Sequence, residues 1–264
     1  MKIVYDSYIL LPFLALFIGL VLVIRIWRHR NLPISKTLIV LMTGLVFWSA
    51  AAVMERITID LASKIFWMQM TYVGRVSTPV AWLVCTLQYT EREKWVTGRK
   101  LALLCIIPVI TLVMVWTNSL HHLVWKDAWL NFTLYPPAVE VTHNIWFLVY
   151  TLCAYSMLLA GTLCLIISYR RSLGIYRKQL GIILIVALIP WVCNFLFISG
   201  ILSFSVLDPT PLALAFSGIV FSEGLSRFHL LDALPIAQDT IYRSIVDGVI
   251  IIDTENRIIE KKSC

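Results

Sequence analysis

The chain has 264 residues, 59% of them hydrophobic and only 14% charged, and its mean hydropathy is +0.84. A water-soluble domain carries roughly 25% charged residues, so this composition excludes a soluble enzyme and indicates a membrane protein. The net charge of +7 would point to nucleic acid in a soluble chain; in a membrane chain basic residues set orientation, and no nucleic-acid partner is expected.

A helix needs roughly 20 mainly apolar residues to cross the hydrocarbon. Seven segments qualify, at about 6–26, 37–56, 65–90, 101–117, 144–168, 180–201 and 209–228. They predict an all-α membrane protein, a seven-transmembrane helix bundle filling residues 1–229. The first run, Ile9 to Ile24, is too long for the apolar core of a signal peptide, and basic residues follow it rather than precede it, so it reads as a retained span. Arg25, Arg28, Arg30 and Lys36 follow span one; Arg92, Lys94, Arg99 and Lys100 follow span three; Arg170, Arg171, Arg177 and Lys178 follow span five. With the tail, seventeen basic residues fall on one side, against Lys2, Arg56, Lys64 and Lys126 on the other. Basic residues favour the cytoplasmic side, which places the N-terminus outside and the C-terminus inside the cytoplasmic membrane.

Between spans four and five, Thr117 to His143 is long enough to carry structure. Leu123-Val124-Trp125 and Val139-Glu140-Val141 flank Tyr135-Pro136-Pro137, the pattern of a short β-hairpin. After span seven, Pro235 ends or kinks the helix, and residues 230–247 form a linker and amphipathic helix with Ile241 and Ile245 on one face. Val249 to Asp253 then reads as a strand and Arg257 to Glu260 as its return. A lone hairpin is marginal in water, so residues 248–264 read as the start of a larger unit, in a fragment or with a partner covering the edge.

Ionisable residues inside spans are costly and commonly functional. Arg75 lies about ten residues into span three, too deep to reach water easily by extending its side chain. Glu55, near the outer end of span two, is its nearest carboxylate by depth. Glu223 in span seven can pair with Arg227 four residues on. Gln69 in span three and Asn194 in span six are expected to hydrogen-bond between helices. Gly74 to Pro79 could break span three. Cys85, Cys105, Cys153, Cys164 and Cys193 sit within apolar runs and Cys264 at the end, and they read as small apolar filler. No cofactor-binding or metal-binding spacing is present, His121, His122 and His143 included, and no nucleotide or hydrolase motif.

Five passages stand out: Phe47-Trp-Ser-Ala-Ala-Ala-Val-Met-Glu55 with Trp67, Tyr72-Val-Gly74, Pro79 and Tyr89; Thr117 with His121 or His122; Arg177-Lys-Gln179 with Pro190 and Asn194; Asp208-Pro-Thr-Pro211; and Leu230-Leu-Asp232 with Leu234-Pro-Ile-Ala237. Together they resemble the N-terminal seven-helix sensor region of bacterial and archaeal histidine kinases. The segment Asp247-Gly-Val-Ile-Ile-Ile-Asp253 resembles the opening of a PAS domain. The resemblance implies a membrane sensor module of two-component type, not itself an enzyme, whose output domain would be a kinase or a diguanylate cyclase. It implies membrane lipid, a small ligand of unknown identity and a second copy in a homodimer as partners. Glu55, Arg75, Asn194 and Gln69 are then the ligand or polar-pocket candidates, and Pro235, Asp247, Gly248 and Asp253 the signal-relay candidates. A small transporter or channel using Arg75 and Glu55, or a non-catalytic truncated scaffold, are the alternatives.

Overall fold

In the computed structural model, residues 9–28, 30, 33–132, 137–200, 208–227, 249–252 and 258–262 are described. Seven long helices are laid out in chain order. They are α1 (Leu10–Trp27), α2 (Pro33–Ile57), α3 (Leu61–Tyr89), α4 (Gly98–Trp116), α6 (Ile145–Arg171), α7 (Gly174–Ile198) and α8 (Thr210–Arg227), with a single turn, α5 (Asn118–His121), after α4. They coincide with the seven apolar segments but run a few residues further where those windows stop at charge: α2 takes in Lys36, and α7 takes in Arg177 and Lys178. A hydrogen-bonded helix satisfies its own backbone, so it continues past the hydrocarbon until a cap ends it.

The caps are readable. Pro33 opens α2, where its missing N–H is no loss. Asp60 precedes α3 and accepts from the Ser63 N–H at 2.9 Å; the Ser63 hydrogen bonds hold its carboxyl below the ordinary range. Asn144 accepts from the Ile145 N–H at 2.8 Å and donates to the His122 carbonyl at 2.8 Å. Lys64, placed in the outer loop by its charge, instead lies in the first turn of α3. It is only 1% exposed, and its ammonium donates to the Glu55 carbonyl at 2.7 Å. A cation at a helix C-terminus meets both the free carbonyls and the negative end of the dipole.

The helices form a ring in which α1 packs on α2 and α8, α2 on α3, α3 on α6, α6 on α7, and α7 on α8, while α4 lies outside against α3 and α6. Between α2 and α3 the backbones nearly touch. A Cβ added to Gly74 would run into the Gly44 carbonyl oxygen and come within 2.6 Å of the Trp48 Cβ. Small residues at such crossings let helices in lipid approach closely. The outer surface is apolar: Phe13, Phe17 and Ile24 on α1, Leu103, Val109 and Val113 on α4, Leu148 and Leu152 on α6, and Ile185, Val192 and Phe195 on α7 are all exposed. Apolar surface on this scale fits hydrocarbon rather than water.

Among the described residues, five helices are long and apolar enough to cross a membrane by length and composition: α1, α2 from Ile34, α4, α6, and α7 from Tyr176. The apolar part of α8, Thr210–Val220, is shorter. α3 carries Lys64, Gln69 and Arg75, and it is the helix most enclosed by others. Its polar groups meet protein rather than lipid, which is where polar groups at membrane depth are tolerated.

α3 runs unbroken through Gly74 and Pro79. Proline has no N–H, so the carbonyl four residues earlier, that of Arg75, loses its helical donor. The Tyr150 hydroxyl of α6 supplies one at 2.8 Å. Pro190 in α7 orphans the Val186 carbonyl in the same way, and Ser217 of α8 lies at 2.9 Å from it. The gaps at Pro79 and Pro190 thus each have a hydroxyl from a neighbouring helix within reach, Ser217 also lying 2.9 Å from the Ala213 carbonyl of its own helix; α4 holds a further internal proline, Pro108.

The expected hairpin is present as β1 (Trp125–Asn131) and β2 (Ala138–His143), antiparallel with an irregularity between Trp125 and Ala128. Asn118, 1% exposed, anchors it by accepting from the Val124 N–H at 2.9 Å and donating to the Trp125 carbonyl at 2.9 Å. Val124 and Trp125 then pack on Tyr72, Val76 and Val115 of α3 and α4. At the C-terminus, β3 (Val249–Ile252) pairs antiparallel with β4 (Ile258–Lys262), where the two strands are expected. Pro235, Asp247, Gly248 and Asp253, and the helix expected at 236–247, lie outside the described residues.

Candidate functional site

Arg75 is the only charged residue along the middle of α3, and the fold gathers polar groups from three other helices around it. Its guanidinium lies 3.3 Å from Asp208 Oδ2, just before α8. It also sits over the Trp48 ring at 5.2 Å and the Tyr72 ring at 5.3 Å. Cation–π contacts of this kind strengthen when desolvated, and they hold the guanidinium between α2 and α3. The other Asp208 oxygen accepts from the Thr210 N–H at 3.0 Å, so the carboxylate also caps the start of α8. The side chains of Arg75 and Asp208 are 26% and 13% exposed. Buried Nε of Arg75 has no hydrogen-bond partner among the described residues.

Asn194 of α7 extends this group. It accepts from the Tyr155 hydroxyl of α6 at 2.7 Å and donates to the Thr210 hydroxyl at 3.1 Å. The start of α8 is therefore tied to α3 through Asp208, and to α6 and α7 through Asn194.

A cavity of about 300 Å³ lies beside this network, lined by Arg75, Asp208, Asn194 and Thr210 and by aromatic side chains including Trp48, Tyr72, Trp82, Phe147, Tyr150 and Trp191. This is the small end of the range for ligand pockets, and its make-up, apolar walls with a few converging polar groups, is theirs. His143, at the end of β2, also lines it. Its ring stacks on Phe147 with centroids 3.6 Å apart. Partial burial and the positive charge of Arg75 push its pKa from 6.5 down to about 4.

Of the four pocket candidates, Arg75 and Asn194 line the cavity together. The carboxylate that meets Arg75 is Asp208, not Glu55. Glu55 is half-buried at the end of α2, does not line the cavity, and contributes its backbone carbonyl to Lys64. Gln69 is also apart from the cavity; it bonds α3 to α4, donating to the Val115 carbonyl at 3.1 Å. Among the described residues, no three His, Cys, Asp or Glu side chains come together as metal ligands.

Asp208 and Tyr150 were the residues that sequence reasoning did not single out as site residues. Asp208 lies in the Asp-Pro-Thr-Pro passage at a helix start, where an acid reads first as a cap. The tyrosine could have been found by asking what satisfies the carbonyl four residues before Pro79.

At the end of α5, His121 Nδ1 accepts from the Leu123 N–H at 3.0 Å, and Nε2 faces the Thr117 oxygen at 3.2 Å. The Thr117 hydroxyl itself donates to the Val113 carbonyl at 2.7 Å. That arrangement requires the proton on Nε2, so the hydrogen-bond chain fixes the tautomer.

A search of curated proteins finds no match. A family model, described as the N-terminal 7TM region of histidine kinase, matches residues 11–235. The match takes in every helix described here, so the chain belongs to the family of N-terminal 7TM regions of histidine kinases.

Proposed function

We propose that this multi-pass membrane sensor region recognises a small ligand in the Arg75 cavity and passes the event to a cytoplasmic output domain. All seven long helices cross the cytoplasmic membrane, with the N-terminus outside and the C-terminus inside. The observation that carries the reading is the Arg75–Asp208 pair. It joins the most enclosed helix, α3, to the start of α8, the last membrane helix, and it does so at the wall of a cavity. A ligand moves such an equilibrium only by binding one arrangement better than the other, and a cavity bordered by the contact between these helices provides that difference. Residues 230–247 then relay the shift, with Pro235 as a joint, to a PAS-like unit that begins at 248–264. The homodimer expected of a kinase input lets the relay act by re-pairing helices.

The test is a fusion of the chain to a histidine-kinase output. Coupling free energies of such devices correspond to about 5- to 150-fold effects. Arg75→Leu should therefore change basal autophosphorylation about fivefold or more while membrane insertion is retained. Basal output equal to that of the parent fusion would remove the Arg75 cavity from the signalling path.

A further inference from the structure

We infer that the ligand of this cavity is a small organic acid with an apolar body, whose carboxylate takes Arg75 away from Asp208. The inference rests on the sensor reading above and deepens it.

Arg75 is under-used. An arginine offers five N–H donors in a planar fork and prefers to grip a carboxylate through two of them. Here it makes one contact to Asp208, at 3.3 Å, longer than the 2.7–2.9 Å usual for charge-assisted hydrogen bonds. Asp208 cannot easily improve that grip, because its second oxygen is held by the Thr210 N–H. Nε is buried without a partner among the described residues. A carboxylate arriving through the cavity is free of the tie to α8 and can take Nε together with a terminal nitrogen. It offers Arg75 a two-point partner, and the displaced Asp208 keeps its hydrogen bond from the Thr210 N–H. Beyond the polar end, the walls are aromatic and aliphatic, Trp82, Phe147 and Trp191 among them, which suits an apolar body.

Displacement also explains how occupancy would reach α8. Asp208 is the tether between α3 and the start of that helix. When an outside carboxylate replaces it, the link is broken, and Asn194 with Thr210 is left as the polar tie at that helix end. The ligand thus competes with an internal mimic of itself.

The experiment uses the 264-residue chain in dodecylmaltoside micelles and follows tryptophan fluorescence, since Trp48 lies under the guanidinium. The probes are octanoate and 3-phenylpropionate, each compared with its primary amide. The acids should bind and the amides should bind at least about tenfold more weakly, the scale of a lost charged hydrogen bond. Asp208→Asn keeps an oxygen for the Thr210 N–H but removes the competing charge, so it should tighten acid binding about fivefold or more. Arg75→Gln should abolish the preference for acid over amide, and Arg75→Lys should restore part of it. Size-exclusion profiles confirm that each variant is folded. A purely structural ion pair gives the opposite sign for Asp208→Asn, and weaker acid binding in that variant overturns the inference. Amides that bind as well as acids overturn it too, and leave the ligand-sensing reading standing. If no probe binds, the organic-acid assignment falls, and the sensor reading is decided separately by the basal output of Arg75→Leu.

Discussion

His143 stacks on Phe147 at the cavity mouth, within the field of Arg75, and that placement has a pH consequence. Its pKa in the folded chain is held at about 4, below its ordinary 6.5. The unfolded chain therefore binds a proton on this residue at higher pH than the folded chain does. Stability from His143 is complete above about pH 6.5 and is lost as pH falls toward 4. Thermal unfolding in detergent should show Tm falling across that window, and His143→Gln should flatten the fall. At this same scale, the sequence disclosed Arg75 through its depth in an apolar run, because charge in hydrocarbon is conspicuous. It did not disclose Asp208 as the partner. Depth alone favoured Glu55, whereas the actual contact spans 133 positions and depends on how α8 is seated against α3.

Among the elements, α3 departs most from its sequence pattern. Gly74 to Pro79 could have broken span three, yet the helix is continuous. The glycine is used for close approach to α2 at Gly44 and Trp48, and the proline gap is filled from α6. Tyr150→Phe should leave the Arg75 carbonyl without its donor and destabilise the bundle by about 1 kcal/mol. In a Pro79→Ala background the alanine N–H restores the helical bond, so the same tyrosine change should cost clearly less. A double-mutant cycle by denaturant or thermal unfolding measures this coupling, and equal costs in both backgrounds would show the hydroxyl to be incidental. Helix existence was legible because each apolar run is long. Helix ends were less so: Asp60 caps α3 from outside the apolar windows, and the helices include charged turns that hydropathy omits. The hairpin was legible from Val139-Glu140-Val141 and the Pro-Pro segment, but its first strand starts at Trp125, where the expected strand Leu123-Val124-Trp125 ends.

Among the described residues, the outer surface is largely apolar and the Arg75–Asp208 pair is enclosed, the reverse of a water-soluble bundle's surface. The proposed topology predicts that reporter fusions after Lys36, Lys100 and Lys178 report cytoplasm, while fusions near Lys126 and Leu207 report the outside. A cytoplasmic signal at Lys126 would overturn the seven-span arrangement, since β1 would then face inward. The basic residues on which this proposed orientation rests are read from the sequence alone. The ring order of the helices was not, because α4 is displaced to the outside and α1 meets α8 across the chain's length, contacts that hydropathy does not encode.

The proline gaps at Pro79 and Pro190 also bear on how such chains can drift in evolution. Pro79 needs Tyr150 only because it withholds an N–H, and Tyr150 reaches that carbonyl only because the helix leaves it open. The Tyr150 ring also packs beside Tyr72 and lines the cavity, so it is the hydroxyl alone that answers to the proline. In relatives where an ordinary residue replaces the proline, the tyrosine hydroxyl becomes dispensable and phenylalanine should appear at its position. Pro190 and Ser217 should be lost as a second linked pair, independently of the first, with alanine free to replace the serine once the proline is gone.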